Sequence, residues 1–504
     1  MGKYVKRLVL LAISTALAIW FLLGFIEVVN KEPVANKEVF TYSVNNIPSD
    51  FKSVGGLDKR TQDIICATSR GLVELDESKN IIPSLSESVD IREDGLEYDF
   101  KIKSDIYWSD GTQITPKDIV AFFREILTEE KEENISALLN VYGAKAFRDG
   151  TGSFTKNVGI TFGEDNIIFR LNSKDDKFVE EIATPQYRVR KNVLLWNNIN
   201  QNYTKLIYSG DYRISEMTLS DLTLKRNESI DTQMIETIKI TNDEGGELAM
   251  ASFEIGERDI VINPPKSQLS RLKKEDRLLT LESNKAMYLI FNPNSDSIHL
   301  EGKRNIYNLI NKAVENYQME NTMFMELAEG SYFRSDKEDL SKLQARKVMS
   351  NATDEWNKPE KISLVAEEGT QSKEICEYIE TWFEKNTDIY LSYNLITKEE
   401  IDSIKDVNYY DIALIQGSGN FSEEGSIYNE LIRFLPEKYS SQLSPAKTEG
   451  ERLEVFLKLE DDLFNTYEVL PLAFYNYNIA VNNKIKKLVL DGNGNMDYSK
   501  IEKS

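Results

Sequence analysis

The chain has 504 residues, which at roughly 150 residues per domain allows about three domains. Hydrophobic residues make up 41% of it and charged residues 29%, a composition typical of folded globular proteins, so disorder over the whole length is excluded. Lys and Arg number 61 against 83 Asp and Glu, a net charge of −22, and this acidity excludes nucleic acid as a partner because phosphate binding requires a basic face.

The scarce residue types exclude several kinds of site. His299 is the single histidine, so neither an HExxH zinc site nor a histidine-rich metal cluster can be assembled. The two cysteines, Cys66 and Cys376, exclude a Cys₄ zinc or iron–sulfur site and a disulfide-dense scaffold. We therefore expect no metal, no cofactor and no enzymatic activity. A hydrolase that uses His299 is the disfavoured alternative, because His299 lies in a polar, turn-like stretch.

Residues 1–30 form a segment apart from the globular chain. Lys3, Lys6 and Arg7 precede the uninterrupted apolar run Leu8–Ile26, whose nineteen residues nearly match a bilayer core of about 30 Å as a helix. Positive residues stay in the cytoplasm, so we expect a single-pass anchor with the bulk of the chain extracellular or periplasmic. A cleaved signal peptide is the alternative. No cysteine lies in or just after the run, which argues against acylation.

Past this segment, strand and helix patterns alternate. In Glu97–Lys103, every second residue is apolar, which predicts a strand. Trp108–Thr112 has the composition of a turn, and Thr115 is expected to cap a helix because Pro116 and Asp118 suit its first turn. Apolar residues at helical spacing follow, and we interpret them as core.

The remaining elements continue this alternation. Further strands are predicted at Asn166–Leu171, Leu222–Lys225, Thr237–Thr241, Asp259–Ile262, Met287–Phe291, Ile389–Ile396, Tyr410–Ile415 and Leu472–Val481. Helices are predicted at Asn305–Met319, Lys373–Lys385 and Glu451–Tyr467. The pattern indicates an α/β protein with mixed sheets. No long linker separates domains, so we expect closely packed domains, with the chain passing between them more than once.

Two local features have competing interpretations. Asp491, Asn493, Asn495 and Glu502 have the spacing of an EF-hand loop, but Met496 occupies the position that requires glycine, so we favour an ordinary turn. Cys376 lies on the apolar face of its predicted helix and is expected to be a buried free thiol; a disulfide with Cys66 is the alternative.

The segment from Tyr98 through Trp108–Thr112 to Thr115–Asp118 resembles the extracellular solute-binding proteins of peptide-type ABC importers, family 5. That family has a Y-x-F-x-x-(K/R) strand followed by W-S-D-G-x-x-(V/I)-T-x-x-D and a helix. Further matching segments follow in the family's order: Gly71–Glu74, Ser209–Tyr212, Gly256–Asp259, Tyr288–Asn292, Asn305–Val314, Pro471–Val481 and Gly494–Asp497. The resemblance covers residues 38–500.

The resemblance implies a two-lobed periplasmic-binding-protein-like fold with mixed sheets and an additional domain on the first lobe. In the implied organisation, residues 1–30 form a cytoplasmic tip and an anchor or signal helix. Lobe I is built from three segments, 38–75, 196–262 and 465–504. The additional domain covers 76–195, and lobe II covers 263–464. The resemblance also implies capture of a peptide or similar small organic ligand between the lobes, for delivery to ABC permease subunits by a monomeric binding protein.

The departures from the family's pattern affect the ligand. Asp211 replaces the proline of the family's G-P-Y segment. After the strand that ends with Tyr410–Ala413, the family has W-x-x-D-Y, where this chain has Gly417 and Asn420 in place of the tryptophan and the aspartate. That aspartate pairs with a peptide's α-ammonium in the family. A phosphate loop at Gly417 and Gly419 is rejected because Ser422 replaces the glycine it needs.

Two loop segments are the candidate ligand-binding residues. Asn263 follows a predicted strand and matches a family position that faces the peptide. The residues after the strand Tyr410–Ile415 would offer backbone donors and acceptors: Gly417, Ser418, Gly419, Asn420 and Phe421. The competing function is a membrane-tethered surface receptor or scaffold that kept the fold and lost transport, which the substitutions at Gly417 and Asn420 favour. Neighbouring permease and ATPase genes would distinguish the two.

Overall fold

Strands and helices alternate through the computed structural model, which describes residues 39–227, 234–242, 245–292, 298–334, 356–404, 409–418 and 449–504. Two compact units divide the chain. The first unit comprises Met1–Pro264 and Ala480–Ser504, and the second comprises Pro265–Ile479. These limits differ by a few residues from the predicted lobe boundaries at 262/263 and by fifteen from the one at 464/465.

The strands are named in chain order. They are β1 Val39–Val44, β2 Val73–Leu75, β3 Ile81–Pro83, β4 Ser86–Ile91, β5 Glu97–Ile102, β6 Ile160–Phe162, β7 Asn166–Arg170, β8 Tyr212–Met217, β9 Asp221–Arg226, β10 Thr237–Asn242, β11 Ile260–Ile262, β12 Leu278–Phe291, β13 Met325–Leu327, β14 Lys361–Glu367, β15 Tyr390–Ile396, β16 Ile412–Ser418, β17 Val469–Val481, β18 Ile485–Lys487 and β19 Glu502–Lys503.

The α-helices are named in the same way. They are α1 Lys59–Thr68, α2 Pro116–Glu129, α3 Ser136–Leu139, α4 Ala144–Arg148, α5 Phe154–Asn157, α6 Phe178–Ile182, α7 Ile199–Asn202, α8 Gly246–Glu254, α9 Lys266–Lys274, α10 Leu300–Glu320, α11 Thr370–Asn386, α12 Lys398–Asp402 and α13 Glu449–Thr466. Every strand and helix predicted above is present. The elements that were not predicted are the strands β1, β2, β3, β4, β6, β8, β13, β14, β18 and β19 and the helices α1, α3, α4, α5, α6, α7, α8, α9 and α12.

The first unit contains two four-stranded sheets. One has the order β1-β10-β9-β8, in which β1 is parallel to β10 and the other neighbours are antiparallel. The other is antiparallel, with the order β4-β5-β7-β6. Its core includes Phe100, Phe123 and Phe169, whose rings meet edge to face at centroid distances of 5.0–5.6 Å. The aromatic stripe of α2 is therefore core, as predicted.

The helix α2 begins as its sequence predicts. The Thr115 hydroxyl accepts from the Asp118 amide, and the Asp118 carboxylate accepts from the Thr115 amide at 2.9 Å, so both members of a capping box are present. Gly111, in the turn before it, has φ +82°, a conformation that glycine adopts without steric cost. The segment with the most specific family resemblance is thus a fold-forming unit.

The second unit is built on one mixed sheet with the order β17-β12-β16-β14-β15, and β13 pairs with β17. β14 is parallel to both β15 and β16, whereas β12 is antiparallel to β16. β14 has four buried residues among its seven, of which Leu364–Ala366 are consecutive. Helices α10 and α11 contribute Ile310, Val314, Ile375 and Ile379 to the core of this unit.

Candidate functional site

The strand order reverses within the second unit. After β14, the chain passes through α11 and forms β15 on one side of β14. It then returns and forms β16 on the other side of β14. The carboxyl ends of β14 and β16 are neighbours, since Ala366 pairs with Leu414 in parallel register. In open α/β sheets, ligands bind in the crevice outside the carboxyl ends of the strands at such a reversal. This edge of the second unit is therefore the candidate site.

A recess of about 220 Å³, including space open to solvent, lies at this reversal. Its lining consists of residues from β12, β14, β16, β17 and the first turns of α11: Met287, Ala366, Ser372, Ile375, Cys376, Leu414, Ile415, Gln416 and Tyr475. Ser372 and Gln416 are half-buried, whereas the other seven are buried. The recess thus has an apolar floor and two polar, uncharged side chains at its opening.

Gln416 is held in place by its neighbour across the recess. Its side chain hydrogen-bonds with the Tyr475 hydroxyl, and burial raises the pKa of that hydroxyl, so Tyr475 stays neutral. Burial likewise raises the pKa of the Cys376 thiol to about 12, so this cysteine is a neutral, weakly reactive lining group. The chemistry available here is apolar contact with hydrogen bonding by uncharged groups.

Two predicted site residues end β16. The strand runs to Ser418, three residues past the predicted end, so Gly417 and Ser418 do not lie in a loop as expected. The reason is the pairing of β16 with β12, which continues through Gly417 opposite Ala286 and Ser418 opposite Lys285. Gly417 is buried and directly follows Gln416 of the recess. Gly419, Asn420 and Phe421 lie outside the described residues.

Asn263 belongs to the first unit. It directly follows β11, as predicted, is exposed, and has φ +45°, a left-handed conformation in which asparagine is tolerated. Two prolines follow, and the boundary between the two units falls between them, at Pro264 and Pro265. The role of Asn263 as a ligand contact stays a prediction.

Asp211, which replaces the proline of the family's G-P-Y segment, has a structural role in the first unit. Its carboxylate accepts a hydrogen bond from the Arg70 guanidinium in a half-buried ion pair. The preceding Gly210 lies against the end of α1, where an added Cβ would be 2.4 Å from the Ser69 nitrogen. The family-like Ser209–Tyr212 segment therefore serves packing in the first unit.

The EF-hand-like loop is a turn, as we favoured. The Asp491 carboxylate accepts hydrogen bonds from the backbone amides of Asn493 and Asn495, each at 2.9 Å. These bonds are formed within the loop and stabilise the turn. The side-chain amide of Asn495, in contrast, faces inward and donates a hydrogen bond to the Asp63 carboxylate. Among the described residues, no group of three His, Cys, Asp or Glu side chains is placed to hold a metal ion.

Both cysteines are free thiols, as expected in preference to a disulfide. Cys376 is buried on α11, while Cys66 belongs to α1 of the first unit. Within the part of the chain that the structure describes, which leaves out residues 1–38, no helix is long and apolar enough to cross a membrane. The predicted anchor Leu8–Ile26 lies outside that part.

Sequence reasoning missed most of the recess. β14 was not predicted, and Ser372, Gln416 and Tyr475 were not selected as site residues. The useful signal was the run Leu364–Ala366, because strands buried on both faces of a parallel sheet have continuous rather than alternating apolar residues.

The chain is similar to known proteins over most of its length. The family model of bacterial extracellular solute-binding proteins, family 5, matches residues 80–432. The dipeptide-binding protein DppE of Bacillus subtilis is 20% identical over 94% of this chain and 94% of its own.

Two solved structures show the same fold. Peptide-bound OppA of Listeria monocytogenes superposes with a TM-score of 0.67 at 15% identity, over 93% of this chain and 99% of its own. The peptide-binding pheromone receptor PrgZ superposes with a TM-score of 0.65 at 17% identity, over 93% of this chain and 100% of its own. With the family model matching more than half of the chain, this protein belongs to the bacterial extracellular solute-binding proteins of family 5.

Proposed function

We propose that the protein is the extracellular substrate-binding component of an ABC importer and that its solute is a peptide or a similar small organic molecule. It captures the solute and delivers it to membrane permease subunits, without catalysis. The protein acts as a monomer outside the cell, anchored by Leu8–Ile26. The family membership supports capture of a solute, and the names of relatives such as DppE favour a peptide.

The observation that carries the proposal is the recess at the strand-order reversal of the second unit. A catalytic site would need a nucleophile activated by a neighbouring base, an acid–base pair or a metal. The recess instead offers the neutral Cys376 thiol, the Ser372 hydroxyl and the Gln416–Tyr475 pair on an apolar floor. Such a surface suits reversible binding by shape and hydrogen bonding.

The domain assignment is part of the same proposal. Lobe I combines residues 38–75, 196–262 and 465–504, the additional domain covers 76–195, and lobe II covers 263–464. Asn263 and the segment Gly417–Phe421 are proposed as ligand contacts from the two lobes. The position of Gly417 beside the recess residue Gln416 supports the second of these.

The first experiment is native mass spectrometry of the ectodomain, residues 31–504, to find a co-purified ligand. The second is a thermal-shift screen of mixed peptides of two to nine residues, with sugars and nucleotides as controls. A peptide at about 100 times its Kd should stabilise the folded state by about 2.7 kcal/mol, or on the order of 5–10 °C in Tm. If the folded protein responds to no peptide, peptide binding is refuted.

A surface receptor is the second candidate function. Asn420 replaces the aspartate that family members use for a peptide's amino end, and the similar structure of PrgZ is that of a pheromone receptor. The discriminating measurement is uptake of a radiolabelled binding peptide by cells with and without the gene. Loss of uptake in the deletion strain indicates transport, whereas unchanged uptake of a peptide that the protein binds indicates a receptor.

A further inference from the structure

The sheet β1-β10-β9-β8 of the first unit has one buried and one exposed face. Phe40 of β1 and Leu224 of β9 are fully buried. Because successive side chains of a strand point to opposite faces, the residues between such positions lie on the other face. There Arg213 of β8, Lys225 of β9 and Lys239 of β10 are all exposed. The exposed face therefore carries a cation on each of three strands.

Two of these cations face one another. Arg213 and Lys225 are directly opposite in the antiparallel ladder of β8 and β9. Like charges in such positions destabilise a sheet. Among the described residues, no carboxylate forms an ion pair with Arg213, Lys225 or Lys239, although acidic residues outnumber basic ones by 83 to 61 in the chain. The protein thus keeps an unfavourable charge arrangement on this face, which an anionic partner would offset.

The cations lie at the end of the sheet where the chain enters it. Val39, the first residue of β1, pairs with Thr237 of β10, which in turn pairs with Lys225. With Arg213, these residues form one row across the sheet. Lys239 lies two residues further along β10 on the same face. Neighbouring strands are about 4.8 Å apart, so Lys225 is about 10 Å from the start of β1.

The acidic residues of the same face lie further from this row. Glu216 of β8 is opposite Thr223, and Asp221 of β9 is opposite Thr241 of β10. Glu236 directly precedes β10, and alternation places its side chain on the other face. The exposed face is thus polarised along its strands, with positive charge toward the start of β1 and negative charge away from it.

The start of β1 is also the point at which the chain arrives from its proposed anchor. The apolar run ends at Ile26 and β1 begins at Val39, so residues 27–38 separate them. Even fully extended, this segment spans at most about 40 Å. Such a tether makes contact between the nearest surface and the bilayer an intramolecular event, so that a weak attraction suffices. Because the chain has a net charge of −22, an anionic membrane repels most of its surface, and the basic end of this face is the favourable contact.

We propose that the exposed face of the sheet β1-β10-β9-β8, at the end that carries Arg213, Lys225 and Lys239, binds the anionic phospholipid headgroups of the membrane in which the chain is anchored. This inference rests on the part of the proposed function in which Leu8–Ile26 spans the membrane. Each cation that reaches an anionic bilayer strengthens the association about fivefold. The contact orients the first unit with the start of β1 toward the membrane.

The test uses the full chain in nanodiscs of phosphatidylcholine, with or without phosphatidylglycerol. Lysines are acetylated with the neutral reagent N-acetoxysuccinimide, and the rate at each lysine is measured by mass spectrometry. Phosphatidylglycerol should slow acetylation of Lys225 and Lys239 at least about threefold. Lys101 on β5, in the other sheet of the unit, has a side chain that is 53% exposed and should react equally in both lipids. A salt concentration of about 1 M shortens the Debye length to about 3 Å and should abolish the difference.

Two charge-reversal variants identify the surface. Lys225→Glu should abolish the protection of Lys239 by phosphatidylglycerol. The fold should survive, because a glutamate opposite Arg213 forms a favourable cross-strand pair, and a Tm at or above that of the wild type verifies this. Lys117→Glu, at an exposed position in the first turn of α2, changes the net charge equally and is the matched control. In this control Lys239 should remain protected.

Three results would overturn the membrane contact: equal acetylation in both kinds of nanodisc, protection that persists in high salt, or the same behaviour of Lys225→Glu and Lys117→Glu. Protection that is independent of lipid charge would indicate a protein neighbour instead. A mature protein that begins after residue 30 would also overturn the contact, because the tether is then absent.

The peptide screen separates this inference from the rest of the proposed function. Lipid-dependent protection of Lys225 and Lys239 without a response to any peptide leaves the membrane contact standing, while the import proposal fails. A response to peptides without lipid-dependent protection overturns the membrane contact alone.

Discussion

The side-chain amide of Asn495 donates to Asp63 Oδ1 at 3.0 Å, joining α1 to the C-terminal segment across 432 positions of the chain. Both residues are fully buried. The Met496 amide donates to the same oxygen at 2.8 Å, and Arg60 Nε lies 3.3 Å from the other carboxylate oxygen. The C-terminal segment is therefore a structural part of the first unit.

This environment makes Asp63 a pH-dependent element. Burial raises its pKa from 3.8 to about 7, and the raising effect outweighs the nearby Arg60 guanidinium and the two donated hydrogen bonds, which lower it. Because the folded-state pKa is the higher, the folded protein binds more protons than the unfolded chain between these values. Its contribution to stability is complete below about pH 4 and is lost as the pH rises to about 7.

We expect Asp63→Asn to remove this dependence. Relative to the variant, the wild type should lose up to a few kcal/mol in free energy of unfolding between about pH 4 and pH 7, and the difference should be constant above that range. Urea unfolding of the ectodomain at a series of pH values measures it. A difference that does not change with pH would show that the folded-state pKa of Asp63 is not raised.

A second long-range contact, an ion pair between Lys503 and Asp259, binds the last residues of the C-terminal segment to the first unit. Lys503 Nζ lies 2.9 Å from Asp259 Oδ1, and both side chains are less than one-tenth exposed. Asp259 also accepts from the Thr41 amide at 2.8 Å, so β1, β11 and β19 meet at this carboxylate.

Lys503→Met should lower the free energy of unfolding by about 3–5 kcal/mol, because Asp259 would remain buried without its counter-charge. Lys487→Met is the control: Lys487 lies 3.7 Å from Glu77 with both side chains about half exposed, and such surface pairs contribute about 0–1 kcal/mol. Chemical denaturation followed by tryptophan fluorescence compares the two. Similar losses in both variants would contradict the structural importance of the buried pair.

Sequence reasoning predicted what is encoded locally. The Thr115–Asp118 capping box, the turn at Gly111 and the amphipathic helix α2 each depend on residues close together in the chain, and all are confirmed. Helix α1 was missed because it buries Arg60, Gln62 and Asp63, so no apolar face marks it. Its polar residues are compatible with burial because partners distant in sequence, such as Asn495, hydrogen-bond with them.

The candidate site was predicted only in part for a related reason. Gly417 could be selected from the family resemblance, but Gln416 and Ser372 become neighbours only once β14 and β16 are parallel partners. Strand order is a non-local property that no single segment specifies. The extra length of β16 also depends on its pairing with β12, which the segment Gly417–Ser418 does not reveal.

A third prediction concerns Gly210. An added Cβ at this position would be 2.4 Å from the backbone at Thr68 and Ser69, atoms that cannot move without disturbing the end of α1. Gly210→Ala should therefore destabilise the protein by about 1–3 kcal/mol. Gly56→Ala, where no atom lies within 4 Å of the added Cβ, should be neutral within about 0.5 kcal/mol. Thermal unfolding measures both, and equal Tm values would contradict the close approach at Gly210.

The last prediction concerns Asn420, which the sequence places two residues beyond β16. A peptide's free ammonium group loses water on entering a closed site, and an aspartate would neutralise it, whereas the asparagine carbonyl only accepts a hydrogen bond. Either Glu423 or Glu424 supplies the missing charge, or the natural ligand has no free α-amine. We favour the second, because an acidic pair after Ser422 is typical of solvated surface.

Asn420→Asp separates these possibilities, measured by calorimetry with the free and N-acetylated forms of one binding peptide. Restoring the carboxylate should improve binding of the free-amine form by about 1.5–3 kcal/mol, the range for hydrogen bonds to charged groups, and leave the acetylated form no tighter. If wild-type protein binds the acetylated peptide at least as well as the free one, the natural ligand has a blocked or absent amine. An equal change for both peptides on substitution would mean that residue 420 does not face the ligand's amino end.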